Sequence, residues 1–234
     1  MPTTNYELPA FVKRSQIRPN ILAEYPSSKR VNAYILFADL RDFSNWSLTV
    51  PPMKVAEIFE VISERVGQML IDHQYDYWKL MGDGIMLVWE VGAGESNTVD
   101  FAIDAAYELH KKYWYYWKES KSEIPKGFGI SICGGEVIKY MSATYFEATI
   151  IQDYLGPIVN MASRFQSIAQ PGEVLVNDSV KQHSQNDWYS FEDITILQKD
   201  KLNELKGIPE SNKLLFKINH KYFNSDWNNF CSLR

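Results

Sequence analysis

The segment Asn32–Asp42, which reads Asn-Ala-Tyr-Ile-Leu-Phe-Ala-Asp-Leu-Arg-Asp, decides the fold. Its first seven residues, Asn32–Ala38, form a short apolar and aromatic run, which predicts a buried β-strand. The charged turn Asp39–Asp42 follows at once. A carboxylate, Asp39, therefore stands where a buried strand ends.

A helix is predicted directly after this turn. Pro51 and Pro52 suit a first helical turn, where the missing N–H of proline costs nothing. Apolar residues then recur at spacings of three and four over Met53–Ile71, which predicts an amphipathic helix. Its apolar face consists of Val55, Ile58, Phe59, Ile62, Val66 and Met69.

A β-hairpin is predicted next, because Tyr75–Met81 and Ile85–Trp89 flank a tight Gly-Asp-Gly turn. If this hairpin pairs with the first strand, the carboxylates of Asp39 and Asp83 converge at one edge of the sheet. Hard divalent cations prefer oxygen ligands, so the pair predicts a magnesium or manganese site. The alternative is that Asp39 caps a turn and Asp83 serves only the hairpin.

The rest of the chain continues the alternation of helices and strands, which predicts an α+β fold with helices packed on one sheet. We read residues 1–30 as an N-terminal arm, 31–220 as one domain and 221–234 as a tail. The further predicted elements are a helix over Thr98–Trp117, a strand over Phe128–Val137 broken at Gly134-Gly135, a strand over Thr144–Ile151, a helix over Val159–Ile168, a strand over Val174–Val176, and one or two strands within Ile194–Ile218.

Composition limits the kinds of function. The 234 residues are 45% hydrophobic and 23% charged, which suits one domain with a packed core. A net charge of -5 argues against broad binding of nucleic acid or anionic membranes. Two cysteines, Cys133 and Cys231, make neither a disulfide framework nor a zinc pattern, so a reduced, cytoplasmic setting is expected. We predict no signal peptide and no membrane span.

A second cluster of polar residues lies in Asp153–Arg164. Asn160 and Arg164 are four residues apart, so on a helix they share one face. An amide beside a guanidinium suits a ribose and a phosphate. The alternative is an ordinary solvated helix face.

Several motifs together resemble one family. The stretch Phe37–Ser44 resembles the Phe-Ala-Asp-Ile-Arg-Gly-Phe-Thr signature of class III adenylate and guanylate cyclases, and Lys79–Gly84 resembles their Lys-x-x-Gly-Asp-Gly hairpin. Further matches follow in family order at Gly129–Val137, Asp153–Arg164 and Pro171–Val176. By these five motifs the chain is identified as a member of that family.

The resemblance implies a fold, a reaction and a metal site. The implied fold is the class III cyclase catalytic domain, an antiparallel-rich sheet flanked by helices, in a head-to-tail homodimer with composite active sites. The implied reaction converts a nucleoside triphosphate into a 3′,5′-cyclic nucleotide and pyrophosphate. Asp39, Asp83 and the backbone carbonyl of Leu40 would bind two divalent ions, Mn²⁺ or Mg²⁺.

The resemblance also implies residues that bind the substrate. Lys79 and Asp153 would read the edge of the base. Asn160 would orient the ribose, and Arg164 would stabilise charge on the phosphates in the transition state. Two further substrate contacts are implied, at Phe43 and at Lys206.

The identity of the base stays open between uracil, cytosine and adenine. Guanylate cyclases place glutamate at the position of Lys79, so GTP is disfavoured. Lys79 with Asp153 resembles the adenylate pair, but cytosine and uracil also present an acceptor beside a donor. A pyrimidine leaves space that bulky residues must fill, and Tyr34, Tyr77 and Trp78 are the candidates, with core packing as their alternative role.

The organisation of the chain resembles the short bacterial cyclases of Pycsar anti-phage systems, whose cyclic UMP or cyclic CMP activates a separate effector. We therefore favour a pyrimidine cyclase, with UTP ahead of CTP. The alternatives are a stand-alone adenylate cyclase and a non-catalytic, nucleotide-binding pseudo-cyclase. One departure from the family is Asp42, which replaces the usual glycine and must point away from the phosphates or be paired.

Overall fold

The computed structural model describes residues 27–92, 98–120, 123–143, 150–206, 208 and 213–220. The chain divides into two compact units. The larger unit contains Val31–Val137 and the described residues from Gly156 onward, and the smaller contains residues 27–30 and Ile138–Leu155.

The first strand and the hairpin form as the sequence predicts. Strand β1, Ser27–Leu40, contains the predicted strand and begins five residues before it. Strands β2, Tyr77–Met81, and β3, Gly84–Glu90, form the hairpin. Strand β3 pairs antiparallel with β1 over a register that places Asp39 opposite Gly84. This pairing brings the end of β1 to the hairpin turn.

The sheet of the larger unit runs in the order β2-β3-β1-β4-β6-β8-β7. Strand β6 pairs parallel with β4, whereas β1 with β3, β6 with β8, and β7 with β8 pair antiparallel. The expected antiparallel-rich α+β fold is therefore confirmed. The remaining strands of this sheet are β4, Phe128–Ala143, β6, Val174–Val176, β7, Tyr189–Asp193, and β8, Phe216–His220.

The long helices match the predicted amphipathic segments. They are α2, Pro52–His73, α3, Thr98–Glu119, and α4, Pro157–Ile168. Alternate residues of β1 and β3 pack with the apolar faces of α2 and α3 in one core, and burial of this apolar surface drives folding. Three short helices were not predicted: α1, Phe43–Ser47, α5, Asp178–His183, and α6, Lys199–Glu204.

One predicted feature is wrong, and a second is confirmed only in part. Strand β4 is not broken at Gly134-Gly135 but continues through both residues. A Cβ on Gly134 would lie 2.6 Å from the ring of Tyr34, and one on Gly135 would lie 2.8 Å from Ile158. The two glycines therefore serve close packing, not a chain break. The one or two strands predicted within Ile194–Ile218 are confirmed only at its end, where β8 begins at Phe216, because α6 occupies part of the segment.

In the smaller unit, β5, Ile150–Leu155, pairs antiparallel with the outer part of β4, so that Asp153 lies opposite Tyr140. Tyr154 is buried, and the Lys139 ammonium lies 6.0 Å from the centre of its ring. Most of the strand predicted at Thr144–Ile151 lies outside the described residues. None of the helices within the described residues is long and apolar enough to cross a membrane.

Candidate active site

Asp39 and Asp83 converge at the end of β1, as the sequence predicts. Asp39 is the next-to-last residue of β1, and Asp83 lies in the turn that joins β2 to β3. The two carboxyl groups lie close enough that, besides burial, the charge of Asp39 raises the pKa of Asp83. Gly84 lies beside the pair: a Cβ there would be in ordinary contact with Asp39 Oδ1, at 3.5 Å, and slightly closer, at 3.3 Å, to the Met81 carbonyl oxygen.

The pair concentrates negative charge in a partly buried place. Burial, and secondly the charge of Asp39, raises the pKa of Asp83, while Arg41 acts in the opposite direction. Arg41 Nη1 lies 3.6 Å from Asp39 Oδ2. Burial lowers the pKa of Arg41, and the charges of Asp39 and Asp83 oppose that effect. The positive charge of the Arg41 guanidinium therefore interacts with both carboxylates.

Arg41 is the site residue to which sequence reasoning assigned no role. Its Nη2 donates a hydrogen bond to the carbonyl oxygen of Gln166, in the last turn of α4. Its backbone N–H donates to the Gly127 carbonyl oxygen at 2.9 Å. A Cβ on Gly129 would lie 2.2 Å from Nη2, so the guanidinium needs a glycine beneath it. The signal in the sequence was an arginine two residues after the first aspartate.

The arrangement fits a divalent metal site. Two carboxylates that repel each other, one with a raised pKa, are stabilised by a bound cation. Among the described residues, no cluster of three or more acidic, histidine or cysteine side chains could hold a metal ion. The remaining ligands would be backbone carbonyl, phosphate and water oxygens, which suits Mg²⁺, an ion that keeps several waters and shares substrate phosphates. The backbone of Leu40 lies beside Asp39 in the sequence.

Asp42, which replaces the glycine usual in the family, lies in the turn after Asp39. Asp42 adopts a left-handed conformation, with φ 62°, which glycine adopts without strain. Its carboxylate accepts a hydrogen bond from Asn45 Nδ2 at 2.5 Å, so it is paired, as its position requires. The ring of Phe43 packs against Trp46 and Phe59, with ring centres 5.7 Å apart in both pairs. These contacts are those of a packing residue.

Asn160 and Arg164 are both exposed on α4 and share a helix face. The helix begins at Pro157, after Gly156 with φ 135°. Ser131 Oγ donates a hydrogen bond to the Ala162 carbonyl oxygen at 2.5 Å, which attaches α4 to β4. Helix α4 is therefore attached to the sheet, while the side chains of Asn160 and Arg164 are exposed.

Lys79 lies on the same face of the sheet as Asp39, by strand alternation and register. Two strand spacings and two residues separate their Cα atoms by about 12 Å. Asp153 lies in the smaller unit, where its Oδ1 accepts a hydrogen bond from the Tyr154 N–H at 2.9 Å. Lys206 is exposed, two residues after the end of α6.

The three aromatic residues considered for the base pocket occupy different places. Tyr34 is buried in the core, and its hydroxyl lies 2.7 Å from His183 Nδ1, so core packing describes it. Trp78 pairs with Leu87 and lies on the opposite sheet face from Lys79. Tyr77 alone of the three shares the face of Lys79 and is half-buried there.

Known proteins with similar sequence or structure point to one family. The sequence profile of the adenylate and guanylate cyclase catalytic domain matches residues 25–215. A search of curated protein sequences finds no match. The solved structure of the adenylyl cyclase CyaB from P. aeruginosa is similar, with a TM-score of 0.71 and 15% identity over 82% of this chain and 96% of that one.

Two further solved structures share the fold. The guanylyl cyclase Cya2 has a TM-score of 0.61 and 16% identity, covering 85% of this chain and 97% of that chain. The catalytic core of a rhodopsin-guanylyl cyclase with converted specificity, in complex with ATPαS, has a TM-score of 0.62 and 18% identity, covering 83% and 99%. With the profile matching most of the sequence, the chain belongs to the adenylate and guanylate cyclase catalytic domain family and is a class III nucleotide cyclase, a lyase.

Proposed function

We propose that this cyclase joins the ribose 3′-oxygen of a nucleoside triphosphate to the α-phosphorus, with pyrophosphate as the leaving group. The observation that carries the proposal is the convergence of Asp39 and Asp83 at the end of a buried strand. Two divalent ions, Mn²⁺ or Mg²⁺, held by these carboxylates and the Leu40 carbonyl, would neutralise charge on the reacting oxygens.

The protein's own side chains bind and orient the substrate. The Arg164 guanidinium donates hydrogen bonds to phosphate oxygens and stabilises the charge that develops there. The Asn160 amide orients the ribose so that its 3′-oxygen lies in line with the leaving group. Most of the acceleration then comes from positioning and charge stabilisation, as in other phosphoryl transfers.

Each active site is proposed to combine residues of two chains in a head-to-tail homodimer. Asp39 and Asp83 come from one chain, and the residues that bind base, ribose and phosphate come from the other. Two observations support this arrangement. Asn160 and Arg164 are exposed, and the edge strand β2 exposes 40% of Trp78 and 38% of Met81, which a partner would cover. The partner-derived residues would be Lys79, Asp153, Asn160 and Arg164.

The base is proposed to be a pyrimidine, uracil ahead of cytosine. Lys79 donates a hydrogen bond to a ring acceptor or carbonyl, and Asp153 accepts one from the neighbouring N–H. Guanine is disfavoured because guanylate cyclases place glutamate, an acceptor, at the position of Lys79. The half-buried ring of Tyr77, on the same face as Lys79, supports a pocket reduced to one ring. The product would act as a signal for a separate effector in anti-phage defence.

Adenylate cyclase activity is the second candidate. Adenine N1 accepts from Lys79, and the 6-amino group donates to Asp153, so the same pair reads ATP. A non-catalytic pseudo-cyclase is the third reading. The presence of Asp39, Asp83 and Arg164 disfavours it, because loss of one of these residues is what would have supported a pseudo-cyclase.

The deciding experiment incubates the purified protein with Mn²⁺ and ATP, GTP, CTP or UTP separately, and identifies cyclic products by mass spectrometry. We expect cyclic UMP as the main product, with cyclic CMP second. Cyclic AMP as the main product would establish the adenylate reading, and no product from any substrate, with nucleotide still bound, would establish the pseudo-cyclase. Asp39→Ala is the control, and it should give no product.

A further inference from the structure

Arg41 contacts both the metal-binding end of β1 and the end of α4. Its Nη1 lies 3.6 Å from the Asp39 carboxylate, and its Nη2 donates to the Gln166 carbonyl oxygen. The two partners lie on elements that are far apart in the sequence. One guanidinium therefore bridges the aspartate loop and the helix that carries Asn160 and Arg164.

This bridge is built into the fold. The Arg41 side chain is only 22% exposed, and its Nε is buried without a hydrogen-bond partner among the described residues. Burial of a guanidinium opposes folding unless carboxylates and hydrogen bonds compensate. Gly129 leaves the space that the guanidinium fills, because a Cβ there would lie 2.2 Å from it. Because burying this guanidinium is costly, its presence indicates a role that offsets the cost.

Helix α4 connects the contact at Gln166 rigidly to Asn160 and Arg164, because all three residues lie on this one helix. Gln166 lies six residues after Asn160 and two after Arg164, within about 9 Å along one helix. Two side-chain hydrogen bonds attach this helix to β4: Ser131 Oγ donates to the Ala162 carbonyl oxygen at 2.5 Å, and Gln166 Nε2 donates to the Gly129 carbonyl oxygen at 3.5 Å. Because a helix moves as a rigid rod over this length, fixing its last turn fixes Asn160 and Arg164 as well.

We propose that Arg41 is a positioning residue that couples the two active sites of the dimer. The inference rests on the proposed function, in which the aspartates of one chain serve one site and its α4 serves the other. In each chain Arg41 then joins a half of one site to a half of the second. Its charge also acts at the aspartates, where it partly offsets the attraction for a divalent cation.

The first test compares Arg41→Gln and Arg41→Lys homodimers with wild type and with a matched control. The control is Lys217→Gln, which breaks a half-buried ion pair, 3.0 Å long, between Lys217 and Glu173 elsewhere in the same sheet. Far-UV circular dichroism and thermal unfolding report whether each variant is folded. Binding of Mn²⁺ alone, measured by electron paramagnetic resonance, gives a readout that does not depend on turnover.

We expect a split that general destabilisation does not produce. Arg41→Gln should bind Mn²⁺ about fivefold more tightly or better, because a positive charge next to Asp39 is gone. Its kcat should nevertheless fall about 10- to 100-fold, because α4 has lost the hydrogen bond that links its last turn to the aspartate loop. Arg41→Lys keeps the charge and one donor, and should retain wild-type Mn²⁺ affinity with an intermediate kcat. Weaker Mn²⁺ binding by Arg41→Gln, or a kcat equal to that of the Lys217→Gln control, overturns the proposal.

The second test places Arg41→Gln in one chain of a mixed dimer, built from an Asp39→Ala chain and an Arg164→Ala chain with different affinity tags. Its single working site takes the aspartates of the Arg164→Ala chain and the α4 of the Asp39→Ala chain. We expect Arg41→Gln to lower kcat from either chain, but to tighten Mn²⁺ binding at the working site only from the Arg164→Ala chain. If kcat falls only when the Arg164→Ala chain carries Arg41→Gln, then Arg41 does not position the substrate-binding residues of α4.

The parent mixed dimer, in which Arg41 is unchanged, tests the composite sites separately from the role of Arg41. Recovery of activity before Arg41 is changed supports composite sites. If the parent does not recover activity, the composite-site arrangement is wrong, and the coupling role of Arg41 is wrong with it. If the parent recovers and neither placement of Arg41→Gln changes kcat, only the role of Arg41 is wrong.

Discussion

Asp83 ionises in a place that disfavours its charge. Burial and the neighbouring Asp39 raise its pKa above the ordinary value for aspartate. A carboxyl group whose folded-state pKa exceeds its unfolded-state pKa destabilises the folded protein at every pH where the unfolded chain is ionised. At neutral pH, without metal, this residue therefore reduces stability, as expected if its proposed role is to bind a metal ion.

Asp83→Asn should accordingly raise the thermal midpoint of the metal-free protein while it abolishes turnover. The amide has the shape of the carboxylate but no charge, so the repulsion with Asp39 disappears. Added Mn²⁺ should raise the midpoint of wild type and leave the variant nearly unchanged, because the ion has lost a ligand. Differential scanning fluorimetry with and without Mn²⁺ measures both effects.

Asp193→Asn is the matched control, with the opposite sign expected. Hydrogen bonds from Thr195 hold the pKa of Asp193 below its usual value, so its charge contributes to the stability of the fold. Removing that charge should lower the midpoint and leave turnover intact. A lower midpoint for Asp83→Asn as well would contradict the charge-repulsion account of the metal site.

Lys79→Glu tests the residue proposed to read the base. A carboxylate accepts where the ammonium donates, and guanine presents donors at that edge, so preference should shift toward GTP. The ratios of kcat/KM for the four triphosphates measure the change. Lys199→Glu makes the same charge change on the exposed start of α6 and should leave the ratios as they are. Equal ratios in both variants would mean that Lys79 does not contact the base.

At the scale of elements, local pattern decided which predictions succeeded. Helices α2 and α3 could be predicted, because each is long and carries a continuous apolar face. Helices α1, α5 and α6 have five or six residues each, too few for a periodic pattern to emerge. Such helices depend on tertiary contacts more than on propensity.

The error at Gly134-Gly135 has a different cause. Glycines inside a strand pattern indicate either a break or a close approach, and sequence alone does not distinguish the two. Here the ring of Tyr34 lies against one of them, in a contact between two strands distant in the sequence. The same reason hid Arg41, whose partners Gln166 and Gly129 meet it only in the folded sheet.

Helix α3 carries a buried imidazole that makes the fold sensitive to acid. Burial lowers the pKa of His110 to about 3. Since the unfolded chain takes up this proton near pH 6.5 and the folded chain does not, stability falls as pH drops through the window from 6.5 to 3. One proton of difference changes the free energy of unfolding by about 1.4 kcal/mol per pH unit.

His110→Gln should remove this part of the acid sensitivity. Urea unfolding at several pH values between 4 and 7 gives the slope of the free energy of unfolding against pH. We expect a smaller slope for the variant than for wild type, with a difference that corresponds to the uptake of up to one proton on unfolding. Circular dichroism at pH 7 checks that the variant is folded, and an unchanged slope would mean that His110 is protonated in the folded protein.

At the scale of the whole molecule, the order of the motifs was enough to identify the family and the sheet. It did not say how the site residues are distributed between chains, since a motif names residues and not the subunit that supplies them. Asp39 and Asp83 meet within one chain, whereas Lys79 stands about 12 Å from Asp39 on the same face, by sheet geometry. That separation makes subunit mixing the natural test of the assembly.

Mixing experiments distinguish composite sites from complete ones without any structure of the dimer. A chain with both Asp39→Ala and Arg164→Ala gives a mixed dimer in which each composite site lacks one group. About ninefold excess of this chain, after exchange, should therefore reduce activity per wild-type chain about tenfold, by random pairing. Complete sites in each chain would leave the activity unchanged.

The single variant Asp39→Ala is the control, because it forms mixed dimers with wild-type chains but should leave one composite site intact in each. In excess it also draws nearly every wild-type chain into a mixed dimer. Each such dimer keeps one working site, made from the wild-type aspartates and the Arg164 of the variant, so activity per wild-type chain should stay the same. Inhibition by the double variant but not by the single one is expected only if the aspartates and Arg164 act from different chains. Equal inhibition by both would instead point to a dimer that needs both sites intact at once.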